Sequence, residues 1–484
     1  MAELVVASNR GPVQFEVDDD GNLSAGRGAG GMVAALGPAL AGQAGTWVAA
    51  AISEGDRVAA RRVARSGRLR TLELAHGAVR LRSLVFDPRE YQSFYNRVSN
   101  RTIWFLHHQL FDVPRHPRFD RSFRLAWEHY RLVNRAFATA CDEEADRGGE
   151  VFMQDYHLAI APALLRERRP DLRIAHFTHC PWADPGYFQM LPGRVAGAVL
   201  EGMLGADLVG FLVPRWARNF LHCCLEAGYR VDFDHGTVRT GDGRTVLVRA
   251  YPLGVAGDAL RERAAQPDAR AQDRVVGELA RGRRLIVRVD RMELSKNILR
   301  GLEGYGSFLE RNPRARGRVV HYALTYPSRR DLPEYQAYTA EVKHAAESIN
   351  ERFRTRTWEP VVLDLRDNYP RALAAMAAAD VLIVNPVWDG MNLVAKEGPA
   401  VSRRDLVLIL SRNAGAADDL GEGALLVNPF DTAELAETIA AAVDMPPDER
   451  AKRAVLLRDG ATALPPQEWF LVQRDELSAL RSGD

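Results

Sequence analysis

Along the 484-residue chain, short apolar runs alternate with longer amphipathic stretches. The runs ELVVASN, TWVAAA, VRLRSLVF, EVFMQD, RIAHFTH and DLVGFL occupy the first half, and RLIVRVD, RVVHYAL, PVVLDL, ADVLIVNP, DLVLILS and ALLVNP the second. Each ends in polar or glycine-bearing residues and reads as a strand. Between them, segments such as FRLAWEHYRLVNRAFATACDEEA and YQAYTAEVKHAAESINERF carry apolar residues three and four apart, the spacing of an amphipathic helix. Strand–helix alternation predicts parallel, doubly wound sheets. One helix-rich, charge-rich segment, DALRERAAQPDARAQDRVVGELARGRR, separates the two series, and the boundary falls just before it. The expected organisation is a Rossmann-like domain over 1–254, a second over 255–464, and a C-terminal helix in 465–484 packing back on the first. Two such domains facing each other form a cleft lined by C-terminal strand ends, where open α/β sheets bind ligands.

Composition narrows the class. A length of 484 residues exceeds the roughly 250–300 that one core sustains, and 46% hydrophobic with 26% charged residues is ordinary for a soluble globular chain. The formal net charge of +1 gives no global field favouring nucleic acid or an anionic membrane, so any anion must be held by a local cluster. Cys141, Cys180, Cys223 and Cys224 show no metal-ligand spacing, which fits a reduced compartment. MAELVVASNR, with an acidic residue and a four-residue apolar run, does not read as a signal peptide, and no stretch approaches the roughly 18 apolar residues of a membrane span. A cytoplasmic protein is expected.

The polar candidates gather at the strand ends. After the first strand come Arg10 and then RGAGGM, where Gly28, Gly30 and Gly31 form either a flexible turn or a backbone cradle for phosphate. Asp155 follows EVFM and His179 follows RIAH, at two neighbouring strand ends. In VDRMELSKN, Arg291 and Lys296 suit a diphosphate, the first as a fork and the second as a point charge. Arg329, in YPSRRD, adds a third candidate phosphate ligand. In WDGMNLVAKEGPA, Asp389 and Gly390 read equally as a capped turn and as a ligand-binding strand end, with Asn392, Lys396 and Glu397 in the helix start that follows. No HExxH, GxSxG or Walker A motif occurs.

The blocks VASNRGP, YNRVSNRTIW, QDYHL, FTHCPW, VDRMELSKN, PSRRDLPEYQ, DGMNLVAKE, and LSRNAGAADDL with LVNPFD stand in the order found in trehalose-6-phosphate synthases. The chain therefore resembles that family, the retaining glycosyltransferases of family 20, over nearly its whole length. The resemblance implies a GT-B fold, an α/β architecture of two doubly wound Rossmann-like domains facing across a cleft. It implies transfer of glucose from a nucleoside diphosphate glucose to glucose 6-phosphate with retention, and no metal or other cofactor. Arg291 and Lys296 would hold the donor diphosphate as it leaves. Asp389 and the backbone of Gly390, Met391, Asn392 and Leu393 would grip the donor glucose, Glu397 the ribose, and Gly31 would close over the phosphates. His179 would sit against the transferred glucose and Asp155 would orient the acceptor. Arg10, Tyr95, Trp104 and Arg329 match positions that bind the acceptor and its 6-phosphate. The implied partners are these two substrates, without nucleic acid or membrane; a homo-oligomeric state stays open.

Departures from the family pattern leave further readings. HCPWADPGYF and RMELSK differ from the usual blocks, and MLGADLVGFLVPRWARNFL leans toward pseudo-glycosyltransferases, which join a nucleotide cyclitol to an amino-cyclitol phosphate. The intact DGMNLVAKE favours glucosyl transfer. A non-catalytic sugar-phosphate sensor should lack a diphosphate cation or the acceptor Asp, and this chain keeps both. In LDLRDNYPR, Asp364, Asp367 and Asn368 could accept guanine N–H groups, which sets GDP-glucose beside UDP-glucose as donor.

Overall fold

The computed structural model describes residues 2–18, 20–27, 36, 45–66, 70–74, 77–329 and 332–480. The chain forms two compact units, residues 1–252 with 466–484, and residues 253–465. The strands of the first are β1 (Ala2–Ser8), β2 (Val13–Val17), β3 (Leu23–Arg27), β4 (Gly45–Ala50), β5 (Arg70–Leu74), β6 (Gly77–Leu84), β7 (Ala145–Gln154), β8 (Arg173–Thr178), β9 (Leu208–Phe211), β10 (Arg230–Asp232), β11 (Thr237–Arg239) and β12 (Thr245–Ala250). Their main sheet has the order β10-β11-β12-β9-β8-β7-β1-β4-β6-β5. From β12 to β6 every pairing is parallel, and the antiparallel β5 and β10–β11 extend the two edges. Val5, Val6 and Ala7 in β1 and Val151, Phe152 and Met153 in β7 are buried on both faces, as a helix-covered parallel sheet requires. Each such Val or Phe side chain contributes about 1.5–3 kcal/mol by leaving water.

The chain order within the parallel part of that sheet, from β12 to β6, has one reversal. It runs outward from β1 through β4 to β6, returns, and continues from β7 on the other side of β1. The gap beyond the carboxyl ends of β1 and β7 is thus the topological switch point of this unit. β2 and β3 form a separate hairpin, which the strand reading above did not include. It rests on the helix Glu54–Ser66, where the Asp56 carboxylate accepts the Phe15 N–H at 2.8 Å. A Cβ on Gly55 would stand 2.2 Å from the Phe15 carbonyl oxygen, so only glycine allows this approach. Helix Arg121–Glu144 is capped by Asp120, which accepts the Phe123 N–H at 2.8 Å, and buries Phe123, Trp127, Tyr130 and Phe137.

The helix Pro466–Ala479 also belongs to the first unit. Its Trp469 indole donates to the Tyr251 carbonyl at 2.9 Å, Phe470 packs on Phe152, and Arg474 pairs with buried Glu150 at 2.5 Å.

The second unit contains β13 (Arg284–Met292), β14 (Val319–Pro327), β15 (Val361–Asp364), β16 (Val381–Val384), β17 (Val407–Ser411) and β18 (Leu425–Val427). Its sheet, β15-β14-β13-β16-β17-β18, is parallel throughout and reverses once, between β13 and β16. The charge-rich segment taken from the sequence as a separator forms the helices Gly257–Ala264 and Pro267–Ala280, which are part of this unit. Arg371 donates to Gln272 at 2.9 Å and Arg403 pairs with Asp273 at 2.5 Å, fastening the second of these helices. Among the described residues no helix is long and apolar enough to cross a membrane.

Candidate active site

The switch point of the first unit collects most of the polar residues singled out there. Arg10 leaves the end of β1, and its guanidinium donates to the Tyr95 hydroxyl at 3.2 Å. Tyr95 lies in Ser93–Trp104, a helix of the wider i→i+5 pitch that is rare and often marks function. Its ring stacks on Tyr91 at 5.9 Å and on His157 at 5.8 Å. Nδ1 of His157 is 3.9 Å from the Asp155 carboxylate. Asp155 in turn accepts the His179 N–H at 3.2 Å, so Arg10, Tyr95, His157, Asp155 and His179 form one connected group. Trp104 ends the same helix but is buried and stacks on His108 at 3.9 Å.

Asp155 stands at φ 71°, ψ 167°, a region that side-chain-bearing residues rarely enter. Its N–H is held by the Phe177 carbonyl at 2.6 Å, so the corner after β7 is tied to β8. Desolvation pushes the His179 imidazole down to about 3, with His176 adding to the effect. The ring is therefore neutral near pH 7, and its Nε2–H donates to Gln154 at 2.8 Å. Gln154 and His157 had no sequence signal beyond their positions at a strand end.

The switch point of the second unit is built from charge pairs. Lys296, in the short turn Leu294–Lys296 after β13, places its Nζ 2.6 Å from the Asp389 carboxylate after β16. Desolvation opposes the Lys296 charge, but Asp389 and Asp290 outweigh it and raise its pKa. Asp389 also accepts from the Asn392 amide at 3.1 Å. Arg291, half-exposed, pairs with Glu293 at 2.7 Å. Glu293 is 0% exposed and its second oxygen takes Arg329 at 3.2 Å, so one buried carboxylate holds two cations. Attraction to Glu293 raises the Arg291 pKa. Arg329 itself is at φ 45° and donates to the Tyr335 hydroxyl at 2.5 Å. Glu293 was not among the candidate residues. A carboxylate two positions after a cation in a strand-end loop was the available signal.

The segment after β16 differs from the capped turn, one of the two readings its sequence allowed. The left-handed residue is Asn392 at φ 74°, not Gly390, and Asn tolerates that region better than most side chains. The helix Val394–Val401 starts after Leu393, and Asp389 spends its carboxylate on Lys296 and Asn392 rather than on a cap. A Cβ on Gly415 would come within 2.0 Å of the Gly390 carbonyl oxygen, so the loop LSRNAG packs directly against this segment. The Met391 carbonyl accepts the Ala416 N–H at 2.8 Å and that of Leu393 the Glu397 N–H at 2.7 Å, which sets Glu397 in the first helical turn. Lys396 turns away into the fold: its Nζ meets Asp419 at 2.5 Å and the Leu253 carbonyl at 2.8 Å.

Two of the three groups considered for a purine base are already engaged. Asp364 accepts from Arg366 at 2.7 Å, Arg371 at 3.0 Å and the Tyr322 hydroxyl at 3.1 Å, and Asn368 caps the helix Tyr369–Ala378 through the Arg371 N–H at 3.0 Å. Asp367 is exposed and close enough to Tyr326 to help raise its pKa, after burial, while Arg291 opposes the rise. Gly28, Gly30 and Gly31 lie outside the described residues. Among those described, no group of three or more His, Cys, Asp or Glu side chains could hold a metal ion.

Comparison with known proteins agrees with this architecture. A trehalose-6-phosphate synthase of Mycobacterium sp. (strain JLS) is 33% identical over 99% of this chain and 97% of its own length. Among solved structures, the trehalose-6-phosphate protein from E. coli bound with UDP-2-fluoro glucose superposes with a TM-score of 0.84 at 26% identity, covering 98% of both chains. The α,α-trehalose-phosphate synthase (UDP-forming) from Burkholderia xenovorans in complex with glucose-6-phosphate gives a TM-score of 0.84 at 27% identity, over 98% of this chain and 99% of its own. Each unit has the doubly wound sheet of the GT-B fold. The family model for glycosyltransferase family 20 matches residues 2–478, and the chain belongs to that family.

Proposed function

We propose that this chain makes α,α-trehalose 6-phosphate, transferring glucose from a nucleoside diphosphate glucose to glucose 6-phosphate with retention of configuration. The observation that carries the reading is the Lys296–Asp389 pair, closed at 2.6 Å across the switch point of the second unit, in a chain whose whole length matches synthases of that name. An ammonium and a carboxylate side by side suit a donor that presents a diphosphate and a sugar hydroxyl at adjacent atoms.

In this reading Arg291 and Lys296 stabilise the diphosphate as it leaves, an electrostatic role that needs no bound metal. The bond from glucose C1 to the phosphate oxygen breaks with its electron pair going to the phosphate. The acceptor oxygen bonds to C1 on the same face and gives its proton to the departing phosphate. Asp389 and the backbone of Gly390, Met391, Asn392 and Leu393 hold the donor glucose, and Glu397 holds the ribose. Asp155 orients the acceptor, neutral His179 lies against the transferred glucose, and Arg10, Tyr95, Trp104 and Arg329 take the acceptor with its 6-phosphate. A cytoplasmic setting accords with four buried free thiols.

The test mixes the protein with glucose 6-phosphate and either UDP-glucose or GDP-glucose, and follows nucleoside diphosphate release and the anomeric protons of the product. Release that depends on glucose 6-phosphate, with an α,α-linked product, is the expected result. Release without glucose 6-phosphate, a β-linked product, or no turnover with either donor would overturn the reading.

A further inference from the structure

At the amino-terminal ends of β13, β14, β16 and β17 lies a cavity of about 470 Å³, lined by Arg281, Arg283, Arg284, Arg318, Arg404 and Asp380. It is at the opposite edge of the sheet from Arg291 and Asp389. The seven steps of β13 from Arg284 to Arg291, at about 3.3 Å each, put roughly 23 Å between them. Nothing in the proposed transfer uses it.

Among the lining residues, five arginines face one carboxylate in number. Asp380 is the sole carboxylate in the lining among the described residues, and its side chain is only 2% exposed. It is already shared by Arg284 at 3.0 Å, Arg404 at 3.2 Å and, from behind, Arg450 at 3.8 Å, while its other oxygen accepts the Leu285 N–H at 2.8 Å. Among the described residues Arg283 donates to neutral carbonyls, Gly317 at 3.1 Å and Thr357 at 2.7 Å, and Arg281 to the Glu278 carbonyl at 3.0 Å. These bonds orient the guanidinium groups without neutralising them. Burial first, then the charges of Arg284 and Arg404, holds Arg450 below its ordinary pKa, although Asp380 and Asp405 pull the other way.

We infer that this cavity binds a small polyanion of the di- or triphosphate class, at a site separate from the one that holds the substrates. Five arginines lining one concavity, only two of them paired with its carboxylate, offer several forked, charge-assisted contacts, which a chain of phosphates can accept together. A volume of about 470 Å³ lies within the roughly 300–1,000 Å³ of small-ligand sites. Nucleic acid is disfavoured because the cations converge on a hollow rather than run along a face, and because the chain as a whole carries only +1.

Titration calorimetry of the full chain with sodium tripolyphosphate, and in parallel with ATP, tests the inference. Two variants separate the sites: Arg281→Gln/Arg318→Gln removes two exposed charges from the cavity, and Arg10→Ala/Lys296→Ala disables the other end of each sheet. One polyphosphate should bind per chain with a Kd below about 1 mM. The affinity should fall at least about tenfold in the cavity variant and persist in the other, since each lost guanidinium removes a charge-assisted contact. Equal binding of the two probes would mark the phosphate chain as the recognised group, and tighter ATP a nucleotide; both support the site. No binding, binding lost only in Arg10→Ala/Lys296→Ala, or tighter binding of single-stranded RNA than of tripolyphosphate with the same dependence on Arg281 and Arg318 would overturn it.

Discussion

At the scale of single residues, the second unit's site depends on which carboxylate holds which cation. Arg291→Ala and Lys296→Ala are each expected to lower turnover by about 10²–10³, the usual loss when one donor to a developing anion is removed. Steady-state rates near normal in both variants would contradict that role. Glu293 makes a different prediction, because it touches Arg291 and Arg329 while fully buried. Glu293→Gln keeps the shape but leaves both guanidinium groups without their common charge. The Michaelis constants for donor and acceptor should then rise together, and Glu293→Asp should recover part of the loss. If Glu293→Gln lowers thermal stability but leaves both constants unchanged, the carboxylate only supports the fold.

At the scale of elements, the corner after β7 holds Asp155 in backbone space that suits glycine. Such positions cost about 1–3 kcal/mol each and persist where function requires the side chain. Asp155→Gly and Asp155→Ala both delete the carboxylate, but only glycine relieves the backbone. The glycine variant should unfold at a higher temperature than the alanine variant by the equivalent of about 1 kcal/mol, with activity low in both. Equal melting temperatures would show that the corner is not strained. The elements that were legible in the sequence were those in which one signal dominates. The buried strands of the parallel sheets stood out because residues such as Val5–Ala7 and Val381–Val384 are continuously apolar. The hairpin β2–β3 was missed although VQFEV alternates and DDDGN supplies a turn, because five half-polar residues do not resemble a core strand. The strand-end positions of Arg10, Asp155, Arg291 and Asp389 followed from the strands alone. Their partners did not: Lys296 meets Asp389 across 93 residues of sequence, and no local pattern encodes that register.

At the scale of the whole molecule, acid should act on the two units unequally. His107, His176 and His179 in the first unit and His321 in the second are depressed by burial, to about 3 for three of them and about 4 for His176. Above about pH 6.5 these imidazoles are neutral in both folded and unfolded chains and contribute no pH dependence. Below it the unfolded chain takes up protons that the folded one refuses, so stability falls with pH down to about 4 for His176 and about 3 for the other three, by up to about 1.4 kcal/mol per pH unit for each histidine. Calorimetric scans at pH 7.5, 6 and 5 should show the transition of the first unit moving down further than that of the second; parallel shifts would contradict the assignment. The helix Pro466–Ala479 has a consequence for the order in which the protein can be made. On a ribosome, β1 to β12 emerge early, but the groove that receives Trp469 and Phe470 stays open until the entire second unit has been translated. A nascent chain released at residue 465 should therefore bind a dye specific for exposed apolar surface and be held by chaperones, whereas one extended to residue 480 should not. Folding of the first unit is completed only by the arrival of the helix Pro466–Ala479.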